Sequence, residues 1–102
     1  MDLQEMQKRV YQNKLDKGFN VTDVPKNFCY LYGEVAEAYD AYIKGKDDLG
    51  EELADIAIYL LGLSEILGYD LKEQIEYKID KNAKRVYKTL ENGTHVKVEG
   101  QE

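Results

Sequence analysis

A repeating pattern of aliphatic residues in the middle of the chain constrains the fold most strongly. Between residues 49 and 67, large apolar side chains recur at alternating steps of four and three, the spacing of a helix packed in a bundle. These seam residues are Leu49, Leu53, Ile56, Leu60, Leu63 and Leu67. Most residues between them in the second half of the segment are also apolar. The pattern therefore predicts a helix whose second half is buried on all sides.

The rest of the chain has the same helical character. Pro25 is the single proline among 102 residues, and turn clusters are few. The periodicity predicts helices at about 2–17, 25–44, 48–67 and 71–91, with Gly18, Gly45 and Gly68 in the connections. We therefore predict an all-α four-helix bundle, with a single domain over residues 1–92 and a polar tail over residues 93–102.

Self-association follows from the buried character of the third helix. Four helices from one chain rarely enclose one of their number completely, and a lone domain of this size is only modestly stable. We expect a second subunit to pack against the helices, giving a dimer or a tetramer.

Composition narrows the location and the partners. No apolar run reaches the roughly 18 residues of a membrane span, and the N-terminus lacks the pattern of a secretory signal. The lone Cys29 cannot form an internal disulfide, which is typical of the reducing cytoplasm, and we expect it to pack in the core. The net charge of −6 argues against binding to the backbone of a nucleic acid.

The charges are unevenly distributed. Residues 25–67 hold nine acidic and three basic residues, whereas residues 72–97 hold seven basic and four acidic residues. An acidic segment suits a metal ion and a basic segment suits phosphates, so a metal–polyphosphate ligand would use both.

Two acidic pairs give the clearest indication of function. Glu34 and Glu37 lie three residues apart, as do Glu52 and Asp55, so each pair shares one helix face. The short connection at 45–46 makes the two helices antiparallel neighbours. Hard cations such as Mg²⁺ prefer oxygen ligands. The four carboxylates could hold one or two such ions and leave coordination positions for substrate phosphates.

The simpler interpretation is a solvated acidic helix face, which fits Glu34 and Glu37 taken alone. It fits Asp55 less well, because Asp55 precedes an apolar run and a charge placed there needs a partner. Gly33, directly before Glu34, removes bulk and could let a neighbouring group approach closely.

The fourth predicted helix carries Lys78, Asn82 and Arg85 at spacings of four and three. Lysine and arginine bind phosphates, and an asparagine can bind a sugar hydroxyl. The alternative is again a solvated face, which is our interpretation of Lys72, Lys81 and Lys84. At the end of the first helix, Lys14 and Lys17 give a weaker signal of the same kind.

With these motifs the chain resembles the MazG-like nucleotide pyrophosphohydrolases of the all-α NTP pyrophosphatase superfamily. The resemblance covers most of residues 5–90 and includes LYGEVAEA at 31–38, EELADI at 51–56, LGYDL at 67–71, and the Lys78, Asn82 and Arg85 set. Many members of that family have a further glutamate directly before the first metal-binding glutamate, where this chain has Gly33.

The resemblance implies Mg²⁺-dependent hydrolysis of a nucleoside triphosphate to the monophosphate and pyrophosphate, with Mn²⁺ as a substitute metal. It implies metal binding by Glu34, Glu37, Glu52 and Asp55, and it implies substrate contacts from Lys78, Asn82 and Arg85. We assign Glu37 and Glu52 to catalysis as well, with Glu37 chosen to take the proton of the attacking water. The family's dimer or dimer of dimers, and a role in clearing the nucleotide pool, are also implied.

Two other hypotheses stay open at this point. The bundle could be a non-catalytic helical module that binds a nucleotide or a protein, in which case Asp55→Asn would fold and bind normally. It could also be a plain dimeric bundle with surface acids, in which case Mg²⁺ would leave its thermal stability unchanged.

Overall fold

The computed structural model describes residues 1–98 and shows four helices followed by a β-hairpin. The elements are α1 (Leu3–Asp16), α2 (Val24–Ile43), α3 (Leu49–Leu67), α4 (Leu71–Lys84), β1 (Tyr87–Thr89) and β2 (His95–Lys97). The predicted all-α, four-helix architecture is confirmed, and α1, α2 and α3 match their predicted bounds to within one residue. Within residues 1–98, no helix combines the length and the hydrophobicity that crossing a membrane requires.

Local signals in the sequence define the helix ends. Asp2 and Asp23 cap α1 and α2 by accepting hydrogen bonds from the backbone N–H three residues later, at 2.9 and 3.1 Å. Such caps satisfy an N–H group that the helix itself leaves unpaired. Pro25 lies in the first turn of α2, where its missing N–H costs nothing. Gly68 ends α3 at φ +80°, in the left-handed conformation that glycine adopts most easily.

The fourth helix is shorter than predicted. It ends at Lys84, and the segment that we assigned to its last turns forms β1, which pairs antiparallel with β2. Asn92 and Gly93 lie in the connection, with Gly93 at φ +85°, and an Asn-Gly pair is a strong hairpin signal. The division at residue 92 stays a prediction, and residues 99–102 of the predicted tail lie outside the described residues.

The chain divides into two compact units, Met1–Leu71 and the part from Lys72 onward. In the first unit, α3 packs against both α1 and α2. Its core includes Ala38 and Ala41 of α2 and Leu61 and Leu63 of α3. All four residues of the α3 turn 61–64 are buried, which confirms burial on all sides for that turn.

Other parts of the predicted core are exposed in the single chain. Leu53, Leu60 and Leu67 of the seam are 56%, 40% and 43% exposed, whereas Leu63 of the same seam is buried. Cys29 of α2 is also exposed, so its predicted place in the core was wrong. A second subunit covering the seam stays a prediction.

Buried Gln7 fastens α1 to the end of α3. Its Nε2 donates to the carbonyl oxygen of Tyr69 at 2.7 Å, and its Oε1 accepts from the backbone N–H of Leu71 at 3.0 Å. These bonds satisfy both halves of a buried amide. They hold α1 against the end of α3.

Candidate active site

Three of the four predicted carboxylates converge between α2 and α3. Glu34 and Glu37 of α2 and Glu52 of α3 each offer one oxygen, and these oxygens all lie within 4.8 Å of one another. The tight α2–α3 connection, with Gly45 at φ +65°, makes the two helices neighbours. The cluster has the oxygen-only composition that Mg²⁺ and Mn²⁺ accept.

Two of these carboxylates have an oxygen that nothing satisfies. Oε2 of Glu34 and Oε2 of Glu52 are shielded from solvent and have no hydrogen-bond partner among the described residues. The rest of each side chain is partly exposed. A shielded carboxylate oxygen without a partner is costly, and a cation placed between the three residues would remove that cost.

The carboxylates also repel one another. Loss of hydration raises the pKa of Glu34, and the charges of Glu37, Asp55 and Glu52 raise it further. Loss of hydration likewise raises the pKa of Glu52, with Asp48 the strongest of its charged neighbours. A group of like charges is held together here by the packing of two helices, and a divalent cation would turn the repulsion into attraction.

Asp55 lies outside the group of three. Its side chain is exposed, although its charge contributes to the raised pKa of Glu34 and of Glu52. We expected apolar surroundings to single out Asp55, and this was wrong because continuous burial of α3 begins only at Leu61. The residues with shielded oxygens are Glu34 and Glu52 instead.

Gly33 does not receive a neighbouring group. A Cβ built at this position would meet no atom within 4 Å. The predicted close approach is therefore absent from the single chain, and the face of α2 at Gly33 is open.

Tyr59 lies between the carboxylates and Lys14, a residue that the sequence indicated only weakly. Loss of hydration raises the pKa of its hydroxyl, and Glu34 is the strongest of the charges that raise it further. Lys14 of α1 places its Nζ 4.8 Å from the centre of the Tyr59 ring, a cation–π distance. The tyrosine is thus influenced by the acidic cluster and also contacts a buried cation.

Lys14 is 7% exposed, and its ammonium group has neither a salt bridge nor a hydrogen bond with any residue in the described part of the chain. Burial lowers the pKa of its ammonium group. Its stem lies across Gly62 of α3, where an added Cβ would stand 2.5 Å from Lys14 Cε. Lys14 gave only a weak signal in the sequence, because its position depends on Gly62, which is distant in the chain.

An open cavity of about 510 Å³ lies between α1 and α3 beside these residues. Its apolar walls include Val10, Phe19 and Ile58. Its polar groups come from Arg9, Asn13, Lys14 and Tyr59. Small-molecule sites have this size and this mixture of many apolar and few polar groups.

The predicted phosphate-binding residues lie in the second unit. Lys78 and Asn82 are exposed on α4, but Arg85 follows the end of the helix, so the three do not share one helix face as predicted. Arg85 Nη1 donates to Asn82 Oδ1 at 3.0 Å, and Arg85 Nε is shielded without a partner among residues 1–98. Their role as substrate ligands stays a prediction.

Three comparisons relate the chain to known proteins. A family model described as the MazG-like family matches residues 29–99. A dATP/dGTP diphosphohydrolase of Salmonella phage PMBT28 is 35% identical over 66 residues, which cover 55% of this chain and 23% of that relative. The chain therefore spans less than a quarter of the length of that curated relative.

The third comparison is structural. A cyanophage S-2L MazG-like pyrophosphohydrolase, bound to dGDP and three catalytic Mn²⁺ ions per active site, matches with a TM-score of 0.72 and 23% sequence identity. The match covers 100% of this chain and 97% of that chain. At this identity the likeness shows a common fold.

Proposed function

The chain belongs to the MazG-like family, and from that premise we propose that it is a nucleoside triphosphate pyrophosphohydrolase that works with Mg²⁺ and accepts Mn²⁺. The observation that carries the proposal is the cluster of Glu34, Glu37 and Glu52, whose carboxylate oxygens lie within 4.8 Å of one another. Two of these residues have a shielded oxygen without a partner among the described residues. A divalent cation would both pair with these oxygens and offset the mutual repulsion of the carboxylates.

The residues present fit a divalent cation. Glu34, Glu37 and Glu52 would hold it, and Asp55 is our proposed fourth ligand. A bound cation would neutralise phosphate charge and lower the pKa of a water molecule.

The reaction breaks the anhydride bond between the α and β phosphates of the substrate. Water contributes OH to one product and a proton to the solution or to a base, giving the monophosphate and pyrophosphate. Glu37 is exposed and so has an oxygen available to take that proton. Glu52 would hold Glu37 and the reacting groups in place through the shared cluster.

The remaining parts of the substrate need binding sites of other kinds. The apolar cavity between α1 and α3 suits the nucleoside, because Tyr59 borders it and also responds to the charge of Glu34. Lys78, Asn82 and Arg85 are our proposed contacts for the phosphates or the sugar. We further propose that the protein is a cytoplasmic dimer or tetramer that clears or balances nucleotides.

A panel of ribonucleoside and deoxyribonucleoside triphosphates, assayed for released pyrophosphate, tests the proposal. We expect release from at least one nucleotide with Mg²⁺ or Mn²⁺ and none with EDTA. No release from any nucleotide with either metal would refute the enzyme and favour a nucleotide-binding module. Release of orthophosphate alone would refute the proposed bond cleavage.

A further inference from the structure

Lys14 has a buried side chain and an ammonium group that the described residues do not neutralise. It is 7% exposed, and no carboxylate of the described chain lies within ion-pair distance of it. Burial of the side chain lowers the pKa of its ammonium group, and the side chain lines an open cavity where the charge can meet water or a ligand. Exposed lysines such as Lys8 on the same helix show that α1 has room for the charge in solvent.

The position of the ammonium group is set by its surroundings. The stem crosses α3 at Gly62, where any larger residue would collide with Cε at 2.5 Å and with Cδ at 3.3 Å. The ammonium then lies over the ring of Tyr59. This route directs the charged end to the wall of the cavity between α1 and α3, which Lys14 and Tyr59 both line.

The chemistry of the cavity indicates what the ammonium group binds. A lysine side chain has three donors and no acceptor, so a ligand there must present an acceptor atom. The apolar walls at Val10, Phe19 and Ile58 suit the faces of a planar ring, and the other polar groups of the lining, Arg9 and Asn13, are available to further atoms of the ligand. A nucleobase with a carbonyl oxygen at its edge meets both conditions, whereas an exocyclic amine would face the ammonium with a second donor.

We propose that Lys14 determines base specificity by donating a hydrogen bond to the carbonyl oxygen of a 6-oxopurine or 4-oxopyrimidine in this cavity. Gly62 keeps the route open for the side chain. The inference rests on the proposed function, since it names the nucleotides that the pyrophosphohydrolase prefers.

The test compares dITP with dATP, which differ in having an oxygen or an amine at position 6 of the purine. We expect kcat/KM for dITP to exceed that for dATP by about tenfold or more, the range of one base contact. Lys14→Met should bring the ratio close to one, mainly through KM, because methionine follows the same path and lacks the charge. Lys8→Met is the matched control and should keep the ratio of the unmodified protein.

Gly62→Ala gives an independent variant that retains the lysine. The atom in collision is the flexible end of the Lys14 side chain, so the helix should fold while the ammonium group is displaced. We expect the dITP to dATP ratio to fall as in Lys14→Met, with the circular dichroism spectrum unchanged. A ratio that stays constant in both folded variants would overturn the inference.

Binding of nucleosides without metal separates this inference from the proposed function. Calorimetry should show tighter binding of deoxyinosine than of deoxyadenosine to the unmodified protein, and Lys14→Met should abolish the difference. That result would support the role of Lys14 even if no nucleotide were hydrolysed. If Lys14→Met instead weakened the binding of dITP, dATP and pyrophosphate by the same factor, the lysine would be a phosphate ligand. That result would overturn the inference.

Discussion

The two flanks of α3 contain opposite charges that the fold leaves without partners. On the α2 side, Glu34, Glu37 and Glu52 bring three carboxylates together, with no cation of the described chain in salt-bridge contact with them. On the α1 side, Lys14 is buried with no carboxylate in contact. Tyr59 is affected by both, through the carboxylate charges and through the contact of its ring with the ammonium group. The proposed function gives each flank a ligand, a metal ion at the carboxylates and a nucleobase at the lysine.

The two flanks should respond differently to added ligands. If the acidic flank binds a metal ion as proposed, its changes should appear in turnover and in metal-dependent stability. If the lysine flank binds a hydrogen-bond acceptor as proposed, its changes should appear in substrate preference.

The largest effect is expected from Glu52→Gln. Removing one carboxylate of the cluster should reduce pyrophosphate release on the order of 100-fold, the loss typical of an impaired metal site. Glu51→Gln is the matched control, because Glu51 precedes it on α3 and is exposed. Equal activity of the two variants would remove the acidic cluster from the mechanism.

The pH dependence of metal-induced stability should come next in size. The pKa values of Glu34 and Glu52 are raised in the fold above the ordinary 4.5, so their contribution to the stability of the metal-free protein is present at low pH. It is lost as the pH rises through the raised pKa values. The increase in melting temperature on adding Mg²⁺ should therefore be small near pH 4 and grow toward pH 7. An increase that is the same across this range would contradict the account.

Removing either unpaired charge should stabilise the protein in the absence of ligands. Lys14→Met should raise the free energy of unfolding by about 1 kcal/mol, because it replaces a buried unpaired cation by an apolar chain of similar length. Glu34→Gln should raise it as well, by relieving repulsion. Chemical denaturation at pH 7 without metal measures both, with Lys8→Met as the reference. A loss of stability in either variant would mean that its charge has a partner in the free protein.

The smallest effect is expected from Gly33→Ala. The position is inside α2 and open, so alanine should add up to about 1 kcal/mol through its higher helix propensity. Thermal unfolding of the monomeric state would measure it. A destabilised Gly33→Ala would indicate that this face of α2 is covered in the assembled protein.

The sequence predicted the features that depend on neighbouring residues. The glycines Gly18, Gly45 and Gly68 lie next to the helix ends that they mark, and the spacing of Glu34 and Glu37 sets their common face. The hairpin was missed although Asn92 and Gly93 indicated it, because the helical spacing of the preceding lysines suggested a longer α4.

Other features depend on contacts between distant residues. Glu34 and Glu52, rather than Asp55, each have one carboxylate oxygen shielded from solvent. Which residues are shielded depends on how α2 lies against α3, and periodicity does not specify that. The seat of Lys14 depends on Gly62, a residue of another helix. The shielded carboxylates and the position of Lys14 both result from packing between helices. The residues adjacent in sequence do not indicate such packing.

A calorimetric titration of Mn²⁺ into the unmodified protein, Glu51→Gln and Glu52→Gln tests the central claim most directly. The account predicts saturable binding to the unmodified protein and to Glu51→Gln, and affinity at least tenfold weaker for Glu52→Gln, a loss typical of a damaged metal site. Equal affinity in all three proteins, or no binding to any of them, would contradict the claim that the carboxylates between α2 and α3 form a metal site.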